Sequence, residues 1–477
     1  MTTKLTTDIC IIGAGSGGLS VAAAASQMGA KVVLFEADKM GGDCLNTGCV
    51  PSKAMLAAAK AAHHAKGAPK MGIAGAPAII DFAAVKAHVA DVIATIEPHD
   101  SAARFTGLGV TVIPERAHFS GRRQVSSDNY QVDAKYIVIA TGSAAAVPPI
   151  PGLDDVPYYT NETIFSDPQK PDHLVIIGGG PIGIEMAHAH ARLGVTVTII
   201  EAASIMSRDD PELVAILKTQ LTNEGITIIE GTGIANIARD DANKLAPSIT
   251  VTLADGLRIT ASHILVAAGR RPSIAGLNLE AAAINSNSAG IITDRRLRSS
   301  NKSVFAIGDV TGRAQFTHIA GYHAGIIIRN ILFKLPAKID ETIQPWVTYC
   351  DPELAHVGLG EQDAIEAWGA GNVKTLTAPL SGNDRAIAER RREGMVKVIT
   401  HKNGRILGAS ILAPHAGEMI LAWALAISAK HKISKMASII APYPTYGDAS
   451  KRAAGSFYTA SLFSARTKKL VKFLLRF

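Results

Sequence analysis

The chain has 477 residues, 47% hydrophobic and 19% charged, with a formal net charge of +7. This is an ordinary globular composition with apolar mass for several cores, and at about 150 residues per domain the length suggests about three domains. Four cysteines are too few for a disulfide scaffold and fit a reducing, cytoplasmic setting where any disulfide is catalytic. No apolar run reaches the roughly 18 residues of a membrane span. The N-terminus reads as a strand, not a signal peptide. Without zinc-finger spacing or an aromatic-interleaved basic patch, nucleic acid is not an expected partner.

In chain order, Asp8–Ile12 is a short apolar strand. It is followed by the loop Gly13-Ala14-Gly15-Ser16-Gly17-Gly18, an alanine-rich helix to about Met28, a strand over Lys31–Phe35 and Glu36. A GxGxxG loop placed after a strand and before a helix, with an acid about 20 residues further on, is a dinucleotide-binding signature. Its glycines let backbone N–H groups approach a pyrophosphate at the helix N-terminus, and Glu36 would accept ribose hydroxyls. Next comes Gly41-Gly42-Asp43-Cys44-Leu45-Asn46-Thr47-Gly48-Cys49-Val50-Pro51-Ser52-Lys53. The two cysteines lie at or just before an alanine-rich helix over Ala54–Ala62, whose N-terminal dipole would lower a thiol's pKa. The glycines allow the bend that brings two sulfurs together. The spacing is loose for zinc, and no second Cys or His pair follows, so a redox pair is the better reading. Phe82–Phe105 reads as helical. Val110–Val125 and Gln131–Ile139 read as strands of a small β unit ending at Thr141-Gly142, and Pro148, Pro149, Pro151 and Gly152 mark a boundary.

A second unit repeats the first: strand Leu174–Ile177, loop Gly178-Gly179-Gly180-Pro181-Ile182-Gly183, helix Ile184–Leu193, strand Thr196–Ile200 and Glu201. Two such signatures imply two dinucleotides. Glu201 favours NADH over NADPH, because its charge accepts from a free 2′-hydroxyl and repels a 2′-phosphate. Ile264–Ala268 exits through Gly269, and Ser303–Val310 runs as a strand into Gly308-Asp309. A helix over His318–Phe333 follows. Beyond Pro336, strands near Trp346–Tyr349, Met395–Thr400 and Ile406–Leu412 precede helices over Gly417–Lys430, within Ile433–Ile440 and toward Lys451. Cys10 and Cys350 lie in or beside apolar strands and read as packing residues.

The segment GGDCLNTGCVPSK, with the two glycine signatures around it, resembles the flavin disulfide reductases, which include dihydrolipoamide dehydrogenase, glutathione reductase and mercuric reductase. The resemblance covers about residues 7 to 455, with the motifs in the family's order. It implies an α/β fold of two Rossmann-like dinucleotide-binding domains plus a C-terminal α+β dimerisation domain. The expected parts are an FAD-binding domain over 1–147 and 271–340, an NAD-binding domain over 148–270, an interface domain over 341–455 and a C-terminal extension over 456–477. It also implies a homodimer in which electrons pass from NADH through FAD to Cys49 and Cys44. Cys49 would be the charge-transfer thiolate nearer the flavin, and Cys44 the thiol that exchanges with substrate. Lys53 would lie under the flavin paired with Glu185. Asp309 would bind the ribityl chain, and Gly13, Gly15, Gly18, Glu36, Thr141, Gly142, Gly178, Gly180, Gly183, Glu201 and Gly269 would serve the two nucleotides. No resident metal is expected.

The pattern departs from the disulfide-reducing members near the C-terminus. Where those enzymes carry a His-Pro-Thr and then an orienting Glu, this chain has Tyr443-Pro444-Thr445 and Asp448. Tyrosine, with an ordinary pKa of about 10, is a poor base at neutral pH. Mercuric reductase also has Tyr here, so a metal ion joins disulfides and lipoyl groups as a candidate acceptor, although this chain lacks that enzyme's C-terminal cysteine pair. Quinone or dye reduction is a further alternative. Gly455–Phe477 reads as an extension whose Arg466, Lys468, Lys469, Lys472 and Arg476 alternate with apolar residues. Either an anionic membrane at the inner face, a protein partner or the dimer itself would suit such a helix.

Overall fold

The computed structural model describes residues 2–74, 79–240 and 248–477. The chain folds into two compact units, the first formed by 1–179, 192–202 and 232–339, the second by 180–191, 203–231 and 340–477.

The first unit is built on the strand Thr3–Ile12, which pairs in parallel with Val32–Phe35 on one side and with Tyr130–Ile139 on the other. Its last four residues are all buried, and alternate ones enter different cores. Ile9 and Ile11 pack with the helices Ser16–Gln27 and Thr317–Ile331, whereas Cys10 and Ile12 pack with Phe119, Leu277 and Val310. Both faces are therefore covered, which is why the strand reads as a continuous apolar run instead of an alternating one. Val110–Ile113 extends the parallel layer beyond Val32–Phe35. Here the sequence reading needs correction. Val110–Ile113 and Tyr130–Ile139 do not form a separate β unit; they belong to the central sheet. The short strands His118–Gly121 and Gln124–Ser126 continue that sheet as an antiparallel flap beside Tyr130–Ile139. Local alternation cannot distinguish these cases, because pairing partners lie far apart in sequence. Val304–Ala306 joins the end of Tyr130–Ile139 in parallel. The expected helix over 82–105 is broken into Phe82–Ile96 and Ala102–Gly107 around Pro98, which restricts the residue before it and removes a donor. A further parallel layer places His173–Ile177 between Thr196–Glu201 and His263–Val266.

The second unit carries a five-stranded antiparallel sheet in the order Trp346–Thr348, Glu353–Gly358, Ile406–Ala413, Met395–His401, Val373–Pro379. Two of these strands, Glu353–Gly358 and Val373–Pro379, are additional to those read from the sequence. The helices Ala416–Ser428 and Asp448–Leu462 cover one face, with Trp423 fully buried between them and the sheet. The helix Asp448–Leu462 runs straight through Gly455, where the sequence suggested a boundary. A helix-interior glycine costs about 1 kcal/mol, but Ala453 and Ala454 are completely buried in this core and packing carries the helix onward.

Candidate active site

Cys44 lies in the short helix Gly42–Asn46, and Cys49 is the first residue of the helix Cys49–Gly67. Pro51 falls in the first turn, where no intrahelical N–H is required, so the helix starts without loss. Gly41 and Gly42 both have left-handed φ, +86° and +58°. The Gly41 N–H donates to Ala14 O at 3.0 Å, and a Cβ on Gly42 would stand 2.7 Å from Gly15 Cα. The cysteine segment is thus pressed against the first glycine loop, backbone to backbone.

Neither cysteine is disulfide-bonded in this structure; Cys49 is exposed and Cys44 half-buried. Cys44 donates its thiol hydrogen bond to Cys49, and this is the main reason Cys49 is brought down to about 6 and Cys44 pushed up. Partial burial opposes the drop at Cys49. The Thr317 hydroxyl, 3.1 Å from Cys49 Sγ, and the Lys53 ammonium one turn along the helix assist it. At neutral pH this arrangement holds one thiolate and one thiol in contact. The loop between them is clamped by Asp43, whose Oδ1 accepts from Thr47 Oγ1 and Asn161 Nδ2, each at 2.8 Å.

Arg270 ties this clamp to Asp309. Its Nη2 lies 3.2 Å from Asp43 Oδ2, its Nε donates to Ser143 Oγ at 2.8 Å, and Ser143 Oγ donates to Asp309 Oδ2 at 2.6 Å. Burial raises the Asp309 pKa against the opposing pull of Ser143 and Arg270. Thr141 Oγ1 donates to Ser273 O at 2.8 Å, and Gly142, with φ of +68°, accepts from the Ser273 N–H at 3.0 Å. Gly269, with φ of +134°, begins the turn that leads to Arg270.

Each glycine loop has positions that only backbone can occupy. Gly13 has φ of +105°, and a Cβ there would fall 2.5 Å from Ala140 O; a Cβ on Gly18 would fall 1.9 Å from Gly13 O. Gly178 repeats the first feature, with φ of +111° and 2.4 Å to Ala267 O. Gly183 is buried in the first turn of its helix, Pro181–Arg192. The acids close both loops alike. Ala14 N–H donates to Glu36 Oε2 at 2.6 Å and Gly179 N–H to Glu201 Oε2 at 2.8 Å, each across 22 residues. A pyrophosphate at a helix N-terminus needs this close backbone approach, so the residues present fit dinucleotides. Glu185 is buried, and its Oε1 accepts from the Tyr349 N–H at 2.9 Å. Cys10 and Cys350 are buried, as packing residues should be.

At the C-terminal position Tyr443 and Asp448 have separate partners. Tyr443 is 73% exposed and donates to Asp384 Oδ2 at 2.7 Å. Asp448 instead accepts from Arg452 Nε at 2.6 Å, one turn along its own helix. The neighbouring Asp384 carboxylate raises the phenol's pKa further. Sequence spacing could not foresee this, because Asp384 is 59 residues away.

The pyridine nucleotide-disulphide oxidoreductase family model matches residues 7–324. The chain belongs to that family. The family's dimerisation domain matches residues 344–454, which supports a homodimer. Similar curated proteins include mercuric reductase of Streptomyces lividans, 36% identical over 459 residues and covering 94% of this chain and 96% of that one. Dihydrolipoyl dehydrogenase of Geobacillus stearothermophilus is 33% identical and covers 94% and 95%. Among solved structures, the Cu(II) complex of the HOCl-induced flavoprotein disulfide reductase RclA from Escherichia coli has a TM-score of 0.83 at 27% identity, covering 93% and 98%. The family's members are flavoprotein oxidoreductases that use FAD and a pyridine nucleotide and act on disulfides or metal ions. No helix among the described residues is long and apolar enough to cross a membrane.

Asp43, Ser143, Asn161, Arg270 and Thr317 escaped the sequence reading. Asp43 and Arg270 adjoin residues already singled out, inside the cysteine segment and next to Gly269. Thr317 reaches Cys49 across 268 residues, and nothing local announces it.

Proposed function

We propose that this family member is an FAD-dependent NADH oxidoreductase in which Cys49 and Cys44 deliver electrons to a thiophilic metal ion. Residues 1–147 and 271–340 would hold FAD at Gly13, Gly15, Gly18, Glu36, Thr141, Gly142 and Asp309. Residues 148–270 would hold NADH at Gly178, Gly180, Gly183, Glu201 and Gly269, and 341–455 would form the subunit interface. When bound, FAD supplies two-electron transfer between nicotinamide and the sulfur pair. The chain's own part is to keep Cys49 as thiolate, through the Cys44 thiol, Thr317 and Lys53, and to present Cys44 as the proton-bearing partner. Lys53 would place a positive charge near the ring. Overall, NADH loses two electrons and a proton, and the acceptor gains the two electrons.

The observation that favours a metal ion is Tyr443. Its hydroxyl hydrogen is committed to Asp384 and its pKa is raised, so it is a weakened acid for protonating a leaving thiolate. Disulfide exchange needs a leaving thiolate to be protonated, whereas a soft cation needs only electrons and sulfur ligands. The likeness to dihydrolipoyl dehydrogenase, 33% identical over nearly both full lengths, keeps a lipoyl or other disulfide acceptor as the second reading. The test is anaerobic NADH oxidation by the holoenzyme with Hg(II), Cu(II), lipoamide, glutathione disulfide and quinone in turn. Metal-dependent turnover that disappears in Cys44→Ser and Cys49→Ser is the expected result. Faster turnover with lipoamide or glutathione disulfide would replace the metal reading with the second. Quinone reduction surviving in Cys44→Ser, with no response to metal or disulfide, would defeat both.

A further inference from the structure

The last turn of the core is not the end of the chain. After Leu462 a new helix, Ala465–Leu474, begins at Ser464, whose Oγ accepts from the Thr467 N–H at 3.2 Å while Thr467 Oγ1 donates to Ser461 O at 2.8 Å. The helix has a built start, yet none of its residues is buried. Leu470, Phe473, Leu474 and Phe477 fall within one arc of about 100° at 100° per residue. All four are more than half exposed, and the Phe473 and Phe477 rings touch at 5.5 Å. Lys468, Lys469, Lys472 and Arg476 occupy the opposite arc. Of the chain's net charge of +7, five units come from Arg466, Lys468, Lys469, Lys472 and Arg476, and residues 463–477 contain no acid.

We infer that the helix Ala465–Leu474, with the exposed residues flanking it, is an interfacial segment that lays the enzyme on an anionic membrane surface. Three occupants could cover its apolar arc. The chain's own core does not, because nothing on the helix is buried. The same segment of a second copy would bring five cations against five, with no acid in residues 463–477 to pair with them. A bilayer carrying anionic lipid meets both arcs at once: acyl chains take the leucines and phenylalanines, and headgroups take the lysines and arginines. Ten helical residues span only about 15 Å, half the hydrocarbon thickness, so the helix lies in the surface and does not cross it. Leu462 and Phe463, also exposed, lead into the same surface. This inference is independent of which acceptor the enzyme reduces.

The test is co-sedimentation of the full-length holoenzyme with vesicles of phosphatidylcholine alone and of phosphatidylcholine mixed with phosphatidylglycerol. The wild type should bind the mixed vesicles, release in high salt and ignore phosphatidylcholine. Replacing the three lysines (Lys468→Gln, Lys469→Gln, Lys472→Gln) should lower partitioning by roughly a hundredfold, at about fivefold per charge near an anionic surface. Phe473→Ser with Leu474→Ser should abolish binding, and both variants should keep their NADH-oxidising activity and dimeric size. Equal binding to both vesicle types, no binding to either, or unchanged binding of the lysine variant would overturn the inference. Conversion of the dimer to monomer by removing residues 464–477 would also overturn it, by assigning the helix to the partner subunit.

Discussion

In both glycine loops the first glycine takes a φ that side chains avoid and tucks beneath the carbonyl ending the neighbouring strand, Ala140 in one and Ala267 in the other. In both, a glutamate 22 residues on returns its carboxylate to a loop N–H. They differ at the middle glycine. Gly15 lies against Gly42, and the cysteine segment is built onto that loop. Among the described residues, a Cβ on Gly180 would meet nothing within 4 Å. One plan thus yields a crowded loop joined to the redox pair and an open one. We read the first as suited to a resident cofactor and the second to a nucleotide that enters and leaves in each turnover.

The largest break in this comparison should come from paired alanine substitutions. Gly42→Ala forces a left-handed alanine whose Cβ meets Gly15 Cα at 2.7 Å. Displacing the sulfurs by even an ångström should cost roughly a hundredfold in kcat. Gly180→Ala should fold normally with its flavin, hold kcat, and raise the KM for NADH roughly tenfold, since only backbone approach to the nucleotide suffers. Equal damage in the two variants, read by flavin content and steady-state kinetics, would erase the distinction between the loops. Glu201→Arg sharpens the open loop's role. It should lower kcat/KM for NADH by about tenfold and raise it for NADPH, and an unchanged preference would remove Glu201 from nucleotide selection.

A smaller effect belongs to Thr317. The Cys49 thiolate forms as pH rises through about 6, so iodoacetamide alkylation of the reduced enzyme should climb there, well below the ordinary thiol value of about 8.5. Thr317→Val removes a hydrogen bond to the thiolate and should move that curve to higher pH by about one unit. A superimposable curve would show that the hydroxyl contributes nothing. The smallest change is expected at Tyr443. With a metal acceptor, Tyr443→Phe should alter kcat by less than about threefold, because losing a true general acid or base costs about 10² or more. A loss of that larger size would restore a proton-transfer role to the phenol.

What the sequence determined by itself lies in short-range constraints. Left-handed turns, close backbone contacts and a helix start must be written locally, so Gly13, Gly18, Gly178, the paired acids and the Cys44–Cys49 segment could all be read before any coordinates. The family, and with it the fold class, followed from their order along the chain. Only the tertiary structure decided which long-range partners those residues meet. Thr317 comes to Cys49, Arg270 to Asp43 and Asp384 to Tyr443. The central placing of Tyr130–Ile139 and the passage of a helix through Gly455 were decided in the same way. Side chains of this kind carry no sequence period or spacing, because their geometry is set by packing between elements far apart in the chain. Such packing overrides propensities of about 1 kcal/mol per residue.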